Sequence, residues 1–173
     1  VRRVTLEAIR ASARSLSGVQ GEALAALRNE EDVEAACILV DLAASFGTIE
    51  AARGLLEKSP APPAPVPPGK GREDSRDGQA SLREAIVSAL AAQEKPEVID
   101  WLLTRAWKEA SSAEKASRAR LCTLCAVAAL KKMEAARPAL EGLLPAEDPP
   151  VVEAALASLK SIGAEPSRDA IEK

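Results

Sequence analysis

Hydrophobic residues recur at helical spacing along most of this chain, and short polar or glycine-containing stretches separate the repeats. The segment 149–162 is an example, because Asp148 can cap its start and Gly163 can end it. Its apolar stripe consists of Val152, Ala155, Leu156, Leu159 and Ile162. By the same criteria we predict helices over residues 3–16, 20–28, 31–46, 48–58, 80–93, 96–110, 113–131, 133–144 and 149–162, with a short piece after Gly163.

Two of these segments are apolar nearly all the way round. They are the helix over 31–46, with the run AACILVDLAASF, and the stretch 117–130, with the run LCTLCAVAAL. A helix that is apolar on every side must be buried on more than one face. We therefore expect both helices to lie between neighbours in a stacked arrangement.

A proline-rich segment interrupts the helical pattern. Residues 59–79 read SPAPPAPVPPGKGREDSRDGQ and hold six of the chain's 12 prolines. Proline lacks an amide proton and fixes φ, so this stretch is expected to be extended and then flexible. We predict an N-terminal helical part over 1–58, a linker over 59–79 and a C-terminal helical part over 80–173.

Short internal echoes favour repeats. The sequence IEAAR at 49–53 returns as MEAAR at 133–137, and VEAA occurs at 33–36 and again at 152–155. In each pair the surrounding segments also match, since spaced leucines follow the first motif and an acidic stretch precedes the second.

These residues resemble the HEAT-repeat family. Residues 136–163, ARPALEGLLPAEDPPVVEAALASLKSIG, have a first helix with spaced leucines, a turn with Asp and Pro, and a second helix that ends in Gly. Residues 23–47 are similar, with a longer second helix, whereas 96–110 and the first 16 residues fit poorly. Glu34 and Glu153 stand where the family often has Arg. The resemblance implies an all-α fold: a short right-handed α-solenoid of HEAT-like helical hairpins, interrupted by the proline-rich linker.

Composition agrees with a helical protein and limits its partners. Hydrophobic residues make up 47% of the chain and aromatic residues 2%, so strand-forming residues are scarce. The net charge of −3 gives no electrostatic footprint for nucleic acid or an anionic membrane, and no run of 18 apolar residues predicts a span. Three cysteines form no disulfide framework, which favours a cytoplasmic location. Val1 in place of Met leaves open an alternative start codon or a piece of a longer chain.

The sequence offers few candidate catalytic or metal-binding residues. The chain has no histidine, which removes the commonest general base and metal ligand. Cys122 and Cys125 form a C-x-x-C, but they lie mid-helix among apolar residues, so we interpret them as core residues. Acidic clusters at 30–34 and 147–148 fit helix starts. Gly69-Lys70-Gly71 lacks the other positions of a phosphate loop. We expect no cofactor and no metal.

One surface remains as a candidate protein-binding site. On helix 96–110, Trp101, Arg105 and Lys108 lie near the side opposite to its main apolar face, and an exposed Trp beside Arg is typical of an interface hot spot. Packing of that side on a neighbouring helix is the alternative. The main apolar face consists of Ile99, Leu102, Leu103, Ala106 and Ala110.

The leading hypothesis is a non-enzymatic protein–protein interaction or scaffold module that binds an unidentified protein and neither nucleic acid nor membrane. The oligomeric state stays open. One alternative is an enzyme on the same scaffold, similar to bilin lyases or to alkylpurine DNA glycosylases. The glycosylases combine Trp and Asp with a basic face, and Asp100, Trp101, Arg105 and Trp107 superficially resemble that set. The acidic net charge argues against it. A fragment of a longer solenoid is the other alternative.

Overall fold

The structure, a computed structural model, describes residues 19–61, 73–111 and 117–163. These residues contain eight α-helices and no strand, so the predicted all-α class is confirmed for this part of the chain. The predicted helix over 3–16 and the piece after Gly163 lie outside the described residues. The helices are α1 (Gln20–Asn29), α2 (Val33–Phe46), α3 (Ile49–Lys58), α4 (Glu73–Ala91), α5 (Pro96–Ser111), α6 (Ser117–Leu130), α7 (Arg137–Glu141) and α8 (Pro149–Ser161).

Local capping explains where the first helices start and stop. The Asp32 carboxylate accepts a 2.8 Å hydrogen bond from the amide of Ala35 and so caps α2. Gly47 ends α2 in the left-handed conformation, with φ of +58°, which a residue without Cβ adopts at little cost. Thr48 then caps α3 through a 3.1 Å bond from the amide of Ala51. The predicted end of α2 at residue 46 is confirmed.

The helices pack in an order that follows the chain. The even-numbered helices lie side by side, since α2 contacts α4, α4 contacts α6 and α6 contacts α8. Among the odd-numbered helices, α1 contacts α3 and α3 contacts α5. Sequential neighbours close the arrangement through contacts of α1 with α2, α5 with α6, and α7 with α8.

Polar side chains connect the C-terminal ends of the even-numbered helices. Gln93, just after α4, donates a 3.1 Å bond to the carbonyl of Ala44 near the end of α2. Lys131, just after α6, donates to the carbonyl of Ala91 at the end of α4, at 3.0 Å. Ser161 at the end of α8 donates to the carbonyl of Ala129 in α6, at 3.4 Å. Each bond pairs a carbonyl near a helix end with a donor from the following even-numbered helix or its C-terminal flank, so the four C-terminal ends lie on the same side.

One hydrophobic core extends across the proline-rich segment. Leu39 on α2 belongs to the same buried cluster as Ile86 on α4 and Leu124 on α6. The helices on either side of residues 62–72 therefore share a core, although the sequence predicted two helical parts. The linker prediction also needs correction at its end, because α4 begins at Glu73 and not near residue 80. A Cβ at Gly78 would lie 3.0 Å from Val33 Cγ2, so this early part of α4 already lies against α2.

Two further sequence predictions are wrong. The helix expected over 133–144 is interrupted: Lys132 has φ of +50°, a 3₁₀ turn follows over Glu134–Ala136, and α7 is only five residues long. Pro138, which lacks an amide proton, fits the first turn of α7 and could not lie in the interior of a longer helix. Leu156, expected on the buried stripe of α8, is 41% exposed. The buried face of α8 is rotated away from it, because Ser158 faces α6 and donates to the carbonyl of Cys125.

The expectation that the two apolar helices are buried on more than one face is confirmed. In α6 the five consecutive residues 121–125 are all buried, which no single helix face can provide. Helix α6 contacts α4, α5 and α8, so its neighbours surround it. Helix α2 is buried in the same way against α1, α3 and α4.

Candidate functional site

Trp101 is not the exposed side chain that the sequence suggested. It is 2% exposed, so the hypothesis that it stands on an open surface beside Arg105 is wrong. The reason is the position of α5, which packs on α6 with one side and on α3 with another. The side opposite to Leu102 and Ala106 is therefore covered by α3, the alternative that the sequence had left open.

The indole of Trp101 lies in a polar contact between α3 and α5. The guanidinium carbon of Arg53 on α3 is 5.7 Å from the centroid of the indole ring, which is a cation–π distance. Arg53 also donates two hydrogen bonds of 3.0 Å to the carboxylate of Glu109 on α5. The Trp101 Nε1–H donates to the same carboxylate at 3.3 Å. The hydrogen bonds from Arg53 are the largest cause that lowers the pKa of Glu109, so the carboxylate stays ionised. The cluster joins two helices and leaves none of its charges free.

Arg105 and Lys108 are exposed, as expected. Arg105 contributes a small part of the lowering of the Glu109 pKa through its charge. Lys108 lines a surface groove whose described lining residues include neither Trp101 nor Glu109. The structure thus keeps Lys108 as a candidate binding residue and separates it from Trp101.

The groove runs between the C-terminal half of α5 and the short helix α7. Its volume is about 600 Å³. Apolar side chains from Leu103, Trp107 and Leu143 form most of its wall, and Gly142 exposes backbone there. Lys108 is the one charged residue among the described residues that line it. The lining residues are Leu103, Thr104, Trp107, Lys108, Ser111, Ala139, Gly142 and Leu143.

The hydrogen-bonding groups of the groove are partly used by α5 itself. The Thr104 hydroxyl donates to the carbonyl of Asp100 at 2.7 Å, and the Ser111 hydroxyl donates to the carbonyl of Trp107 at 2.9 Å. Both hydroxyls can therefore still accept but have no proton left to donate. Trp107 is 7% exposed, and its indole N–H is shielded from water with no hydrogen-bond partner. Lys108 supplies the charged donor.

Sequence reasoning found only part of this groove. Lys108 was among the candidate residues, but nothing in the sequence spacing of Trp107 and Leu143 brings these two together. The groove exists because the chain turns at Lys132 and restarts as a short helix. A pattern that reads as one continuous helix cannot show that break.

A second cavity of about 410 Å³ lies between α4 and α6. Its wall carries charges of both signs, from Arg83 and Glu84, beside apolar Val87 and Ala126. It extends to Ala61, where the described part of the chain stops. This cavity therefore shows no preference for a ligand of one charge.

The cysteines are core residues, as the sequence predicted. Cys122 is 1% exposed and Cys125 is fully buried. Burial raises the pKa of both thiols, that of Cys125 to about 12, which is the opposite of an activated thiolate. The described residues contain no group of three Cys, Asp or Glu side chains arranged to hold a metal ion.

The acidic helix starts are used locally. Glu30 is buried and its carboxylate accepts from the amides of Glu31 and Asp32, both at 3.1 Å. Asp148 stands at the N-cap position of α8, but its side chain makes no capping bond. It accepts a 2.7 Å bond from Arg118 instead, so the expected side-chain cap at Asp148 is wrong.

The residues that resembled a glycosylase set are not presented together. Asp100 is exposed, whereas the indoles of Trp101 and Trp107 are both buried in the helix packing. Over the described ranges, no helix has the length and apolar character needed to cross a membrane.

Comparison with known proteins identifies no relative: no family model matches the chain, and no curated protein or solved structure matches it. The resemblance to HEAT repeats therefore rests on the residues of this chain alone.

Proposed function

We propose that this protein is a non-enzymatic interaction module, built as a short α-solenoid of HEAT-like hairpins, that binds another protein. The repeated packing supports this proposal. Helices α2, α4, α6 and α8 lie side by side with their C-terminal ends on one side, which is how a stack of helical hairpins is arranged. Stacked hairpins serve as binding scaffolds because their extended surfaces are larger than those of a compact bundle.

The single observation that carries the binding role is the apolar groove between α5 and α7. Leu103 and Leu143 are only partly buried, and Trp107 forms the wall between them. Apolar side chains such as these two leucines gain free energy when a partner removes them from water. The C-x-x-C residues do not favour a redox function as an alternative, since burial raises the pKa of both thiols.

We also propose a cytoplasmic location. The thiols of Cys37, Cys122 and Cys125 are all free, and the two in α6 are buried against apolar neighbours. Free cysteines are retained in reducing compartments.

Affinity capture tests the interaction role. The full chain, immobilised through a tag, is exposed to lysate from the cells that express it, and an excess of untagged chain serves as competitor. We expect at least one protein to be captured, displaced by the competitor, and then bound as a purified protein with a Kd of roughly 10 µM or tighter. Capture of nothing beyond the tag-only control would reject the interaction module.

A further inference from the structure

We propose that the α5–α7 groove binds an acidic amphipathic peptide segment of the partner protein, with apolar side chains in the groove and a carboxylate on Lys108. This inference rests on the proposed interaction role and names the partner chemistry and the site.

The shape of the groove suits a few side chains of a peptide. Its volume of about 600 Å³ is in the range of sites that enclose small ligands. Leu103 and Trp107 come from α5, Leu143 lies in the turn just after α7, and Gly142 is exposed beside it. Apolar anchors spaced along an amphipathic helix occupy grooves of this kind.

The charge of the groove selects the peptide. Lys108 lines it, and Arg105, three residues earlier on α5, is also exposed. No acidic side chain among the described residues lines the groove to offset Lys108. A carboxylate on the occupant therefore forms a charge-assisted hydrogen bond, while a basic occupant meets like charge.

The hydrogen-bond donors lead to the same choice. Thr104 and Ser111 have already donated their protons to carbonyls of α5, so these hydroxyls offer only acceptors. The ammonium of Lys108 remains as the exposed donor among the described residues that line the groove. An occupant that brings acceptors matches it, and a carboxylate brings the strongest.

Selection from a random dodecapeptide library displayed on phage tests the proposal without knowledge of the partner. The target is the full chain, and the readout is the composition of enriched peptides and their affinity as free, labelled peptides. We expect peptides with spaced apolar residues flanked by Asp or Glu. Lys108→Glu should weaken them about tenfold or more and should itself enrich peptides with Lys or Arg in those positions.

Matched variants locate the site. Leu143→Asp introduces a charge into the groove wall and should abolish binding of the selected peptides. Leu156→Asp and Lys160→Glu alter exposed residues of α8, away from the groove, and should leave binding unchanged. Circular dichroism and denaturant unfolding check that each variant is folded. Because Lys108 is exposed, its variant keeps the test informative even if Leu143→Asp unfolds the chain.

The contrary results are equally specific. Enrichment of no peptide, enrichment of basic or uncharged peptides, or equal binding to Leu143→Asp and wild type would each overturn the proposal. Self-association that Leu143→Asp abolishes, seen by sedimentation, would assign the groove to a second copy of the chain and overturn it as well. A protein captured from lysate equally by wild type and Leu143→Asp would leave the interaction module standing and reject this groove.

Discussion

The guanidinium of Arg53 on α3 donates two hydrogen bonds, each of 3.0 Å, to the carboxylate of Glu109 on α5. The two residues are far apart in sequence, and their pairing encloses the indole of Trp101 between the helices. This contact explains why the most prominent aromatic residue of α5 belongs to the core and not to a binding surface. It also shifts the candidate site to the groove at Lys108.

Trp101→Ala should therefore act on stability. Truncation of a fully buried Trp removes its packing and leaves a cavity, so the free energy of unfolding should fall by about 3–5 kcal/mol. Arg105→Ala, on the exposed surface of the same helix, should change it by no more than about 0.5 kcal/mol. Denaturant unfolding followed by circular dichroism measures both. Equal, small effects for the two variants would contradict the burial of Trp101.

The Arg53–Glu109 pair should make stability depend on pH in the acid range. The pKa of Glu109 is lowered in the folded chain. The unfolded chain therefore binds the proton at a higher pH, near the ordinary pKa of about 4.3. The stabilisation is present above that value and is lost as the pH falls through the folded pKa. Because both side chains are 40% exposed or more, its size is at most about 1 kcal/mol.

Glu109→Gln tests this dependence. The wild type should be more stable than the variant at about pH 7, and the difference should shrink as the pH falls through the folded pKa of Glu109. Glu153→Gln, at an exposed glutamate of α8, serves as the control. A difference that stays constant across this range would mean that the charge of Glu109 contributes nothing.

The sequence was informative wherever a signal is local. Helical periodicity located the helices, Gly47 marked the end of α2, and the all-round apolar character of α2 and α6 revealed their central positions. The sequence could not predict burial that depends on contact with another helix. The sequence spacing on α5 places Trp101 and Leu102 on different sides of the helix. It cannot show that α3 covers the side that carries Trp101. The start of α4 at Glu73 was missed for a similar reason: its first turns read as a polar linker because their contact with α2 is tertiary.

Cys122 and Cys125 should resist thiol reagents until the chain unfolds. A thiol with a pKa of about 12 has roughly one thiolate in ten thousand at about pH 8, and burial blocks access to it as well. Cys37, which is only partly buried, should react first with a chromogenic disulfide reagent. In Cys37→Ser the fast phase should disappear, and full reaction should require denaturant. Rapid reaction of all three thiols in the native protein would contradict the core assignment.

Gly47→Ala should destabilise the protein by about 1–2 kcal/mol, because its φ of +58° places a Cβ in the unfavourable left-handed region. Gly47→Asn should cost less, since Asn tolerates that conformation better. Gly21 in α1 provides a control of opposite sign: a Cβ there meets no atom within 4 Å, so Gly21→Ala should stabilise the protein by up to about 1 kcal/mol. Thermal unfolding of the three variants is sufficient, and a stabilising Gly47→Ala would contradict the left-handed cap.

Removal of a buried hydroxyl should change the free energy of unfolding in opposite directions at Thr123 and at Ser158. The Thr123 hydroxyl is fully buried on α6 and has no hydrogen-bond partner, so Thr123→Val replaces an unsatisfied group with a methyl of similar volume. The Ser158 hydroxyl lies 2.7 Å from the carbonyls of both Cys125 and Ala154 and connects α8 to α6.

We expect Thr123→Val to raise the free energy of unfolding by about 1 kcal/mol, because it removes the cost of burying an unpaired hydroxyl. Ser158→Ala should lower it by about 1 kcal/mol, because a carbonyl loses its donor. Urea unfolding at neutral pH measures both, and the double variant should give the sum of the two effects if the two sites are independent. Destabilisation by Thr123→Val would show that its hydroxyl is satisfied in solution, and an unchanged Ser158→Ala would show that the α6–α8 contact does not depend on this bond.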